Sequence, residues 1–412
     1  MPLFECPPRS AKPGRDLALE GLRGLCALLV IYDHITYSYP MLDPVYSAYS
    51  IHLGYGPPAV LMFFVISGYA IGLSVQGDAT RRSVLDYAWR RVVRIVPIAW
   101  AAVLISWLLM PAPARTILGN LLFLQNYEPY PFGVGFPVLR NDPPLWSLSF
   151  EVLYYLLFVL VWKLKPRAGV LVGATLLVGF AYLPPVGLPI ILSKFAWGYL
   201  FWLGGLSIAW FTKPLEPAPG EVRSPWLFAI AGAFALWTLA PIRAYVVLAC
   251  PHLFGENISP TYNQPDFILA AAAVILAVTG RAPILQTRLS LACAAVGLSI
   301  LPFKAYSGNL QSTDVAAALI LALWPLARRW RLPVRPLRLL APVGQVSYAL
   351  YVVAFPIMVA ILHNRILPLP SGSLGSYILR LLTYAVACGV LAWFLERVFQ
   401  PWLARRARRL TF

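Results

Sequence analysis

Apolar runs of about fifteen to twenty-two residues, parted by short segments carrying Arg, Pro and Gly, make up most of this chain. Runs of that length suit helices that cross a hydrocarbon core of about 30 Å. The pattern predicts spans at Gly21–Tyr39, Gly56–Val75, Val96–Met110, Leu145–Trp162, Ala168–Leu183 and Phe195–Phe211. It predicts six more at Trp226–Leu248, Asp266–Gly280, Leu289–Phe303, Val315–Ala327, Ala341–Leu362 and Leu374–Leu395. Several are short, so the expected fold is all-α, a polytopic integral membrane bundle of about ten to twelve transmembrane helices. Ile117–Gln125 is apolar but too short to span and reads as re-entrant or interfacial. No internal repeat is visible.

Composition agrees with this reading. The 412 residues are 59% hydrophobic and only 12% charged, against roughly 25% charged in soluble domains. A net charge of +17 would raise nucleic-acid binding for a soluble chain. Here the cations sort by side: with a cytoplasmic N-terminus, twenty-five Lys and Arg fall on inner segments and six on outer ones, leaving Arg23 and Arg380 within spans. That is the positive-inside bias, so no nucleic acid is required and both termini are expected in the cytoplasm. Residues 1–20 read as a basic cytoplasmic arm, 21–395 as the transmembrane domain and 396–412 as a basic cytoplasmic tail suited to anionic membrane lipids. No secretory signal is evident, because the first apolar run carries Arg23 and His34. Cys6, Cys26, Cys250, Cys293 and Cys388 are scattered, with neither disulfide nor metal spacing, so no metal is expected.

The polar residues inside the apolar runs carry the chemistry. Arg23 and His34 are eleven apart, about three helical turns, and so share one helix face roughly 16 Å apart. Arg23 can also serve as a snorkelling topology anchor. Ser67 and Gly68 in Met62–Gly72 are small residues that favour close helix packing. In Trp89–Trp100, Arg91 and Arg94 share a face if Pro97 follows a first helical turn, making either a phosphate clamp or a plain positive-inside cluster. Ser147 and Glu151 lie one turn apart, with Trp146 at the interface level. Glu151 needs a partner, and His34 is expected at similar depth. Ser347, Tyr348 and Tyr351 cluster hydroxyls in another apolar helix, as interhelical glue or the lining of a path. Tyr46, Tyr49, Tyr127 and Tyr130 on outer loops suit sugar stacking and equally an aromatic belt.

A buried histidine with a carboxylate partner can act as general base on an alcohol while arginines hold an anionic donor. The same residues also suit a proton-coupled transporter or a flippase of glycan-linked lipids. Motif order separates the two. Arg23 with His34, FFVISGY from Phe63, RRVVRIVP from Arg90, WSLSFEVLYY from Trp146, GQVSYALY from Gly344 and the terminal Glu396–Pro401 resemble, in that order, the membrane-bound acyltransferase-3 family of bacterial O-acetyltransferases. The resemblance implies transfer of an acyl group, usually acetyl from acetyl-CoA, to a hydroxyl of a glycan, glycolipid or glycosylated small molecule in the bacterial inner membrane. It also implies His34 as catalytic base, Arg23 in the same site, Glu151 as the partner orienting His34, Arg91 and Arg94 as contacts to the CoA phosphates, and Ser147 and Tyr348 as supporting residues. Trp146, Ser67 and Ser347 accompany them. Ala354 stands where family members often carry a histidine, and no SGNH-type hydrolase domain is expected before Phe412.

Overall fold

The computed structural model describes residues 16–38, 54–126, 135–183, 186–212, 222–249, 264–363, 366, 368, 370 and 372–411. Tyr46, Tyr49, Tyr127, Tyr130, Cys6, Cys250 and most of the basic arm lie outside them. The helices in chain order are α1 (Leu17–Asp33), α2 (Gly56–Ser74), α3 (Arg81–Leu109), α4 (Ala114–Leu121), α5 (Trp146–Leu164), α6 (Ala168–Phe180) and α7 (Ile190–Phe211). There follow α8 (Trp226–Leu239), α9 (Pro241–Ala249), α10 (Phe267–Thr279), α11 (Pro283–Ser299), α12 (Leu301–Tyr306) and α13 (Ser312–Leu323). Last come α14 (Arg335–Arg338), α15 (Ala341–Gln345), α16 (Ser347–Leu362), α17 (Leu374–Phe394) and α18 (Gln400–Thr411). Strand is confined to two short pairs, Gln125–Asn126 with Phe136–Pro137 and Arg223–Ser224 with Leu332–Pro333.

Among the described residues seven helical segments are long and apolar enough to cross a membrane, and four further apolar helices are shorter. Expected spans shorten where the backbone breaks. Trp226–Leu248 bends between α8 and α9 at Ala240, whose φ is 43° and which precedes Pro241, although Trp226–Tyr245 still has crossing length. Ala341–Leu362 divides at Val346 into α15 and α16. Pro97 behaves differently from the expectation that it would open a span. It sits inside the 29-residue α3, where its missing N–H releases the Val93 carbonyl. The Gln400 amide donates to that carbonyl at 3.1 Å and to the Arg94 carbonyl at 2.9 Å, which lets the helix continue through the proline.

The chain forms two compact units. The first comprises residues 1–22, 60–77 and 161–341. Helices α2 and α7 approach closely, where a Cβ at Gly68 would overlap the Trp202 carbonyl and one at Gly205 the Val65 carbonyl. The hydroxyl of Tyr69 accepts from Arg281 at 2.6 Å, and Trp210 donates to the Gly72 carbonyl at 3.2 Å. Helices α8, α10, α11 and α13 pack together in the same unit, with Trp324 buried against Gly232.

The second unit comprises residues 23–59, 78–160 and 342–412. Its last long helix shows the pattern of a lipid-facing span. On α17, Ser376, Arg380, Tyr384, Cys388 and Ala392, each four apart, are buried, while Leu382, Val386, Val390 and Trp393 are exposed. Polar groups inside and apolar groups outside is the distribution a bilayer selects.

Candidate active site

Helix α16 acts as a ruler for the candidate residues, all of which except Ser67 belong to the second unit. Tyr348, Tyr351 and Phe355, spaced i, i+3 and i+7, share one face of it. Each marks one level. The Tyr348 hydroxyl donates to the Ile95 carbonyl at 2.9 Å. The Tyr351 hydroxyl donates to the Pro144 carbonyl at 3.0 Å and accepts from the Ser147 hydroxyl at 2.9 Å. Phe355 meets the His34 ring edge-on, with centroids 5.3 Å apart and planes at 84°. Seven residues of helix separate the first level from the last, about 10 Å.

The first level is charged. Glu396 lies in a π-helical turn, Leu395–Phe399, that ends α17, and its carboxylate accepts from the Ala349 backbone N–H at 3.2 Å. That N–H is in the first turn of α16, which has no side-chain cap at Val346, so the carboxylate meets an otherwise unsatisfied helix start. Arg94, Arg23 and Arg397 all lie within electrostatic reach of Glu396. Beside them the guanidinium of Arg91 stands over the rings of Tyr87 and Tyr155, at 5.8 and 5.6 Å. The Tyr155 hydroxyl donates to Glu151. A recess of about 210 Å³ opens here, lined by Trp89, Arg90, Val93, Arg94, Gln400 and Ala404.

The sequence-predicted residues thus divide. Arg23, Arg91, Arg94, Glu151 and Tyr348 gather at the charged end, Ser147 takes the middle level with Trp146 beside Phe150 at 5.1 Å, and His34 takes the far one. Ser347 is buried at the first turn of α16. Ser67 lies in the first unit, one residue before the glycine on which α2 meets α7. Glu151 is not placed against His34 as expected. Among the described residues no hydrogen bond joins them, because α5 begins at the Pro144 level of the ruler and Glu151 lies more than a turn further toward the arginines. The side chains that line the recess are Arg90 and Arg94, four apart, where Arg91 and Arg94 were expected. The signal for Arg90 was the i, i+4 spacing itself. Gln400 had none, since its role depends on the carbonyl freed by Pro97.

His34 opens a π-helical turn, His34–Ser38, in which the Thr36 hydroxyl donates to the Tyr32 carbonyl at 2.9 Å. Such turns re-aim side chains and recur at functional sites. The segment leading into α5 is held by buried polar groups: the Ser106 hydroxyl donates to Asp142 at 3.1 Å and the Asn141 amide to the Ser106 carbonyl at 2.6 Å. Burial pushes the Asp142 carboxyl well above the usual carboxylate range, and the Ser106 hydrogen bond only partly opposes this. A raised folded-state pKa means that stability falls as pH rises from the unfolded carboxylate's pKa of about 4 toward the folded value. Asp142→Asn escapes that loss. In detergent melts from about pH 4 to about pH 8, its melting temperature should rise relative to the native chain; a constant difference would show that Asp142 stays charged.

The sequence profile described as an acyltransferase domain matches residues 16–397, nearly the whole chain. The chain is 30% identical over 159 residues to the acyltransferase MdmB of Streptomyces mycarofaciens, a match covering 36% of this chain and 39% of that protein. It is 25% identical over 179 residues to nodulation protein 10 of Rhizobium leguminosarum bv. viciae, covering 38% and 48% respectively. The chain therefore matches less than half the length of each of these relatives. No solved structure matches significantly. With the family profile covering both units and helices of membrane-spanning length within it, the chain belongs to the acyltransferase-3 family.

Proposed function

We propose that the protein transfers an acyl group, usually acetyl, from acyl-CoA to a hydroxyl of a glycan, glycolipid or glycosylated small molecule. The observation that carries this reading is the separation along α16 of a cationic recess from His34, because a long donor needs its phosphates held at one place and its thioester delivered at another. Arg90 and Arg94 hold the phosphates as charge-assisted donors, and Arg91, packed on two tyrosines, adds a fixed positive charge. Glu151 and Tyr155 steady that arginine group. His34 takes the proton of the acceptor hydroxyl, the oxygen attacks the thioester carbonyl, and the tetrahedral intermediate expels the CoA thiolate. The imidazolium returns its proton to the thiolate, leaving an ester and free CoA-SH. Arg23, Trp146, Ser147, Ser347 and Tyr348 support the path, and Ser67 supports packing. The protein works in the bacterial inner membrane with both termini cytoplasmic and needs no metal.

The reading is tested by mass spectrometry of envelope glycans and secreted glycosides from cells with and without the native chain. An added acyl mass only with the chain supports it and identifies the acceptor; a glycolipid that changes sides without any ester would favour transport. In purified protein, Arg94→Gln should raise the KM for acetyl-CoA about ten- to a hundredfold at nearly unchanged kcat, as expected for a lost charge-assisted hydrogen bond of about 1.5–3 kcal/mol. Equal losses in kcat and kcat/KM would place Arg94 at the reacting atoms instead.

A further inference from the structure

The face of α17 turned away from the buried stripe carries two recesses. One, of about 550 Å³, is lined by Pro342, Val343 and Val346 on one side and by Gly389, Trp393 and Arg397 on the other. The other, of about 670 Å³, is lined mostly by apolar residues, among them Leu382, Val386, Val390 and Phe394, with Thr383 the polar one, and it shares Trp393. Trp393, 56% exposed, is thus a wall between two troughs. Gly389, Trp393 and Arg397 are spaced four apart and form one helix face about 12 Å long. That length fits within a single leaflet, roughly half of a 30 Å core. Gly389 leaves the first trough open, since a Cβ there would meet nothing within 4 Å. Arg397 closes one end of the same trough and hydrogen-bonds Gln345.

We propose that this face binds one anionic, two-tailed phospholipid, its phosphate on Arg397 and its tails in the two troughs flanking Trp393. Charge decides the headgroup: the trough ends on an exposed arginine, and exposed Arg405 and Arg406 follow on α18. Geometry decides the tails, because one trough would suit a single chain, whereas two troughs sharing a wall fit a diacyl lipid. The site does not depend on the proposed acyl transfer and does not use His34 or the arginine recess.

The test uses the full chain purified in mild detergent from membranes containing phosphatidylglycerol and phosphatidylethanolamine, with bound lipid read by native mass spectrometry. The native chain should retain one phosphatidylglycerol. Gly389→Leu, which fills the first trough, should lose it, while Arg397→Gln should retain lipid but no longer select the anionic headgroup. Should Gly389→Leu fail to fold, the native chain in nanodiscs with bromine-tailed phosphatidylglycerol supplies the second measurement, in which quenching at low lipid fraction should fall in Trp393→Phe. Retention unchanged in Gly389→Leu would overturn the site, as would quenching unchanged in Trp393→Phe. Selectivity that survives Arg397→Gln but is lost on changing Arg405 and Arg406 to Gln would overturn it too.

Discussion

With His34 as the proposed base, His34→Ala should end ester formation while binding of the proposed acyl-CoA donor persists. A general base typically contributes 10²–10⁴-fold, so transfer by the variant should fall by about that factor. Binding should persist because Tyr348, at the level of the arginines, and Phe355, which meets His34, are seven residues or about 10 Å apart on α16. The measurement is paired: single-turnover transfer from labelled acetyl-CoA, and equilibrium binding of CoA to the same preparation. Lost transfer with retained binding supports the base. Transfer within a factor of a few of the native rate would remove His34 from the chemistry, and loss of both would show that the α1 turn supports the recess instead. His34→Gln, which keeps a polar side chain of similar length but cannot accept the proton, should be as inactive as the alanine variant.

Gly68→Leu removes folded protein, and Gly68→Ala leaves it markedly less stable. At this position an added Cβ would overlap the carbonyl of Trp202, a backbone atom that cannot rotate away, and Gly205 faces Val65 in the same manner. Helices α2 and α7 would have to separate, forfeiting dispersion contacts along both. Overpacking usually costs about 1–3 kcal/mol where side chains can adjust, and a backbone obstruction lies at or beyond the upper end. Gly173→Ala in α6 is the internal control. Its Cβ meets nothing within 4 Å, so it should stabilise by about 0.5–1 kcal/mol through helix propensity. Thermal unfolding of the three purified chains checks both signs. A Gly68→Ala melting temperature equal to the native value would show that α2 and α7 do not meet on this glycine.

The recess and the base differ in how far they were legible from the sequence. The eleven-residue spacing of Arg23 and His34 put a fixed charge and a base on one expected helix face; in the structure Arg23 lies within α1 and His34 opens the π-helical turn that follows it. Pairing across helices was another matter. Glu151 looked like a partner for His34 because counting from the start of an apolar run gives a depth, and the two depths matched. The count assumed that the run starts at the membrane surface. Instead the 3₁₀ turn at Pro143–Leu145 is fastened to α16 by Tyr351 and Ser147, and Glu151, further along α5, joins Tyr155.

Hydrophobic periodicity is a local property, and it was enough to determine an all-α membrane chain, the residues sharing each helix face, and the glycine and arginine positions that constrain packing. The motifs that carry the family resemblance are likewise local stretches of sequence. It says nothing about which face of which other helix lies opposite, because that depends on how far each helix is shifted along its axis. Only the tertiary structure decided that Gln400 satisfies the carbonyl freed by Pro97, that Glu396 meets the start of α16, and that Arg90 joins Arg94 in lining the recess. Each of these is a contact between residues tens to hundreds of positions apart or a consequence of one, and its physical origin is a buried polar group that must find a partner wherever the packing supplies one.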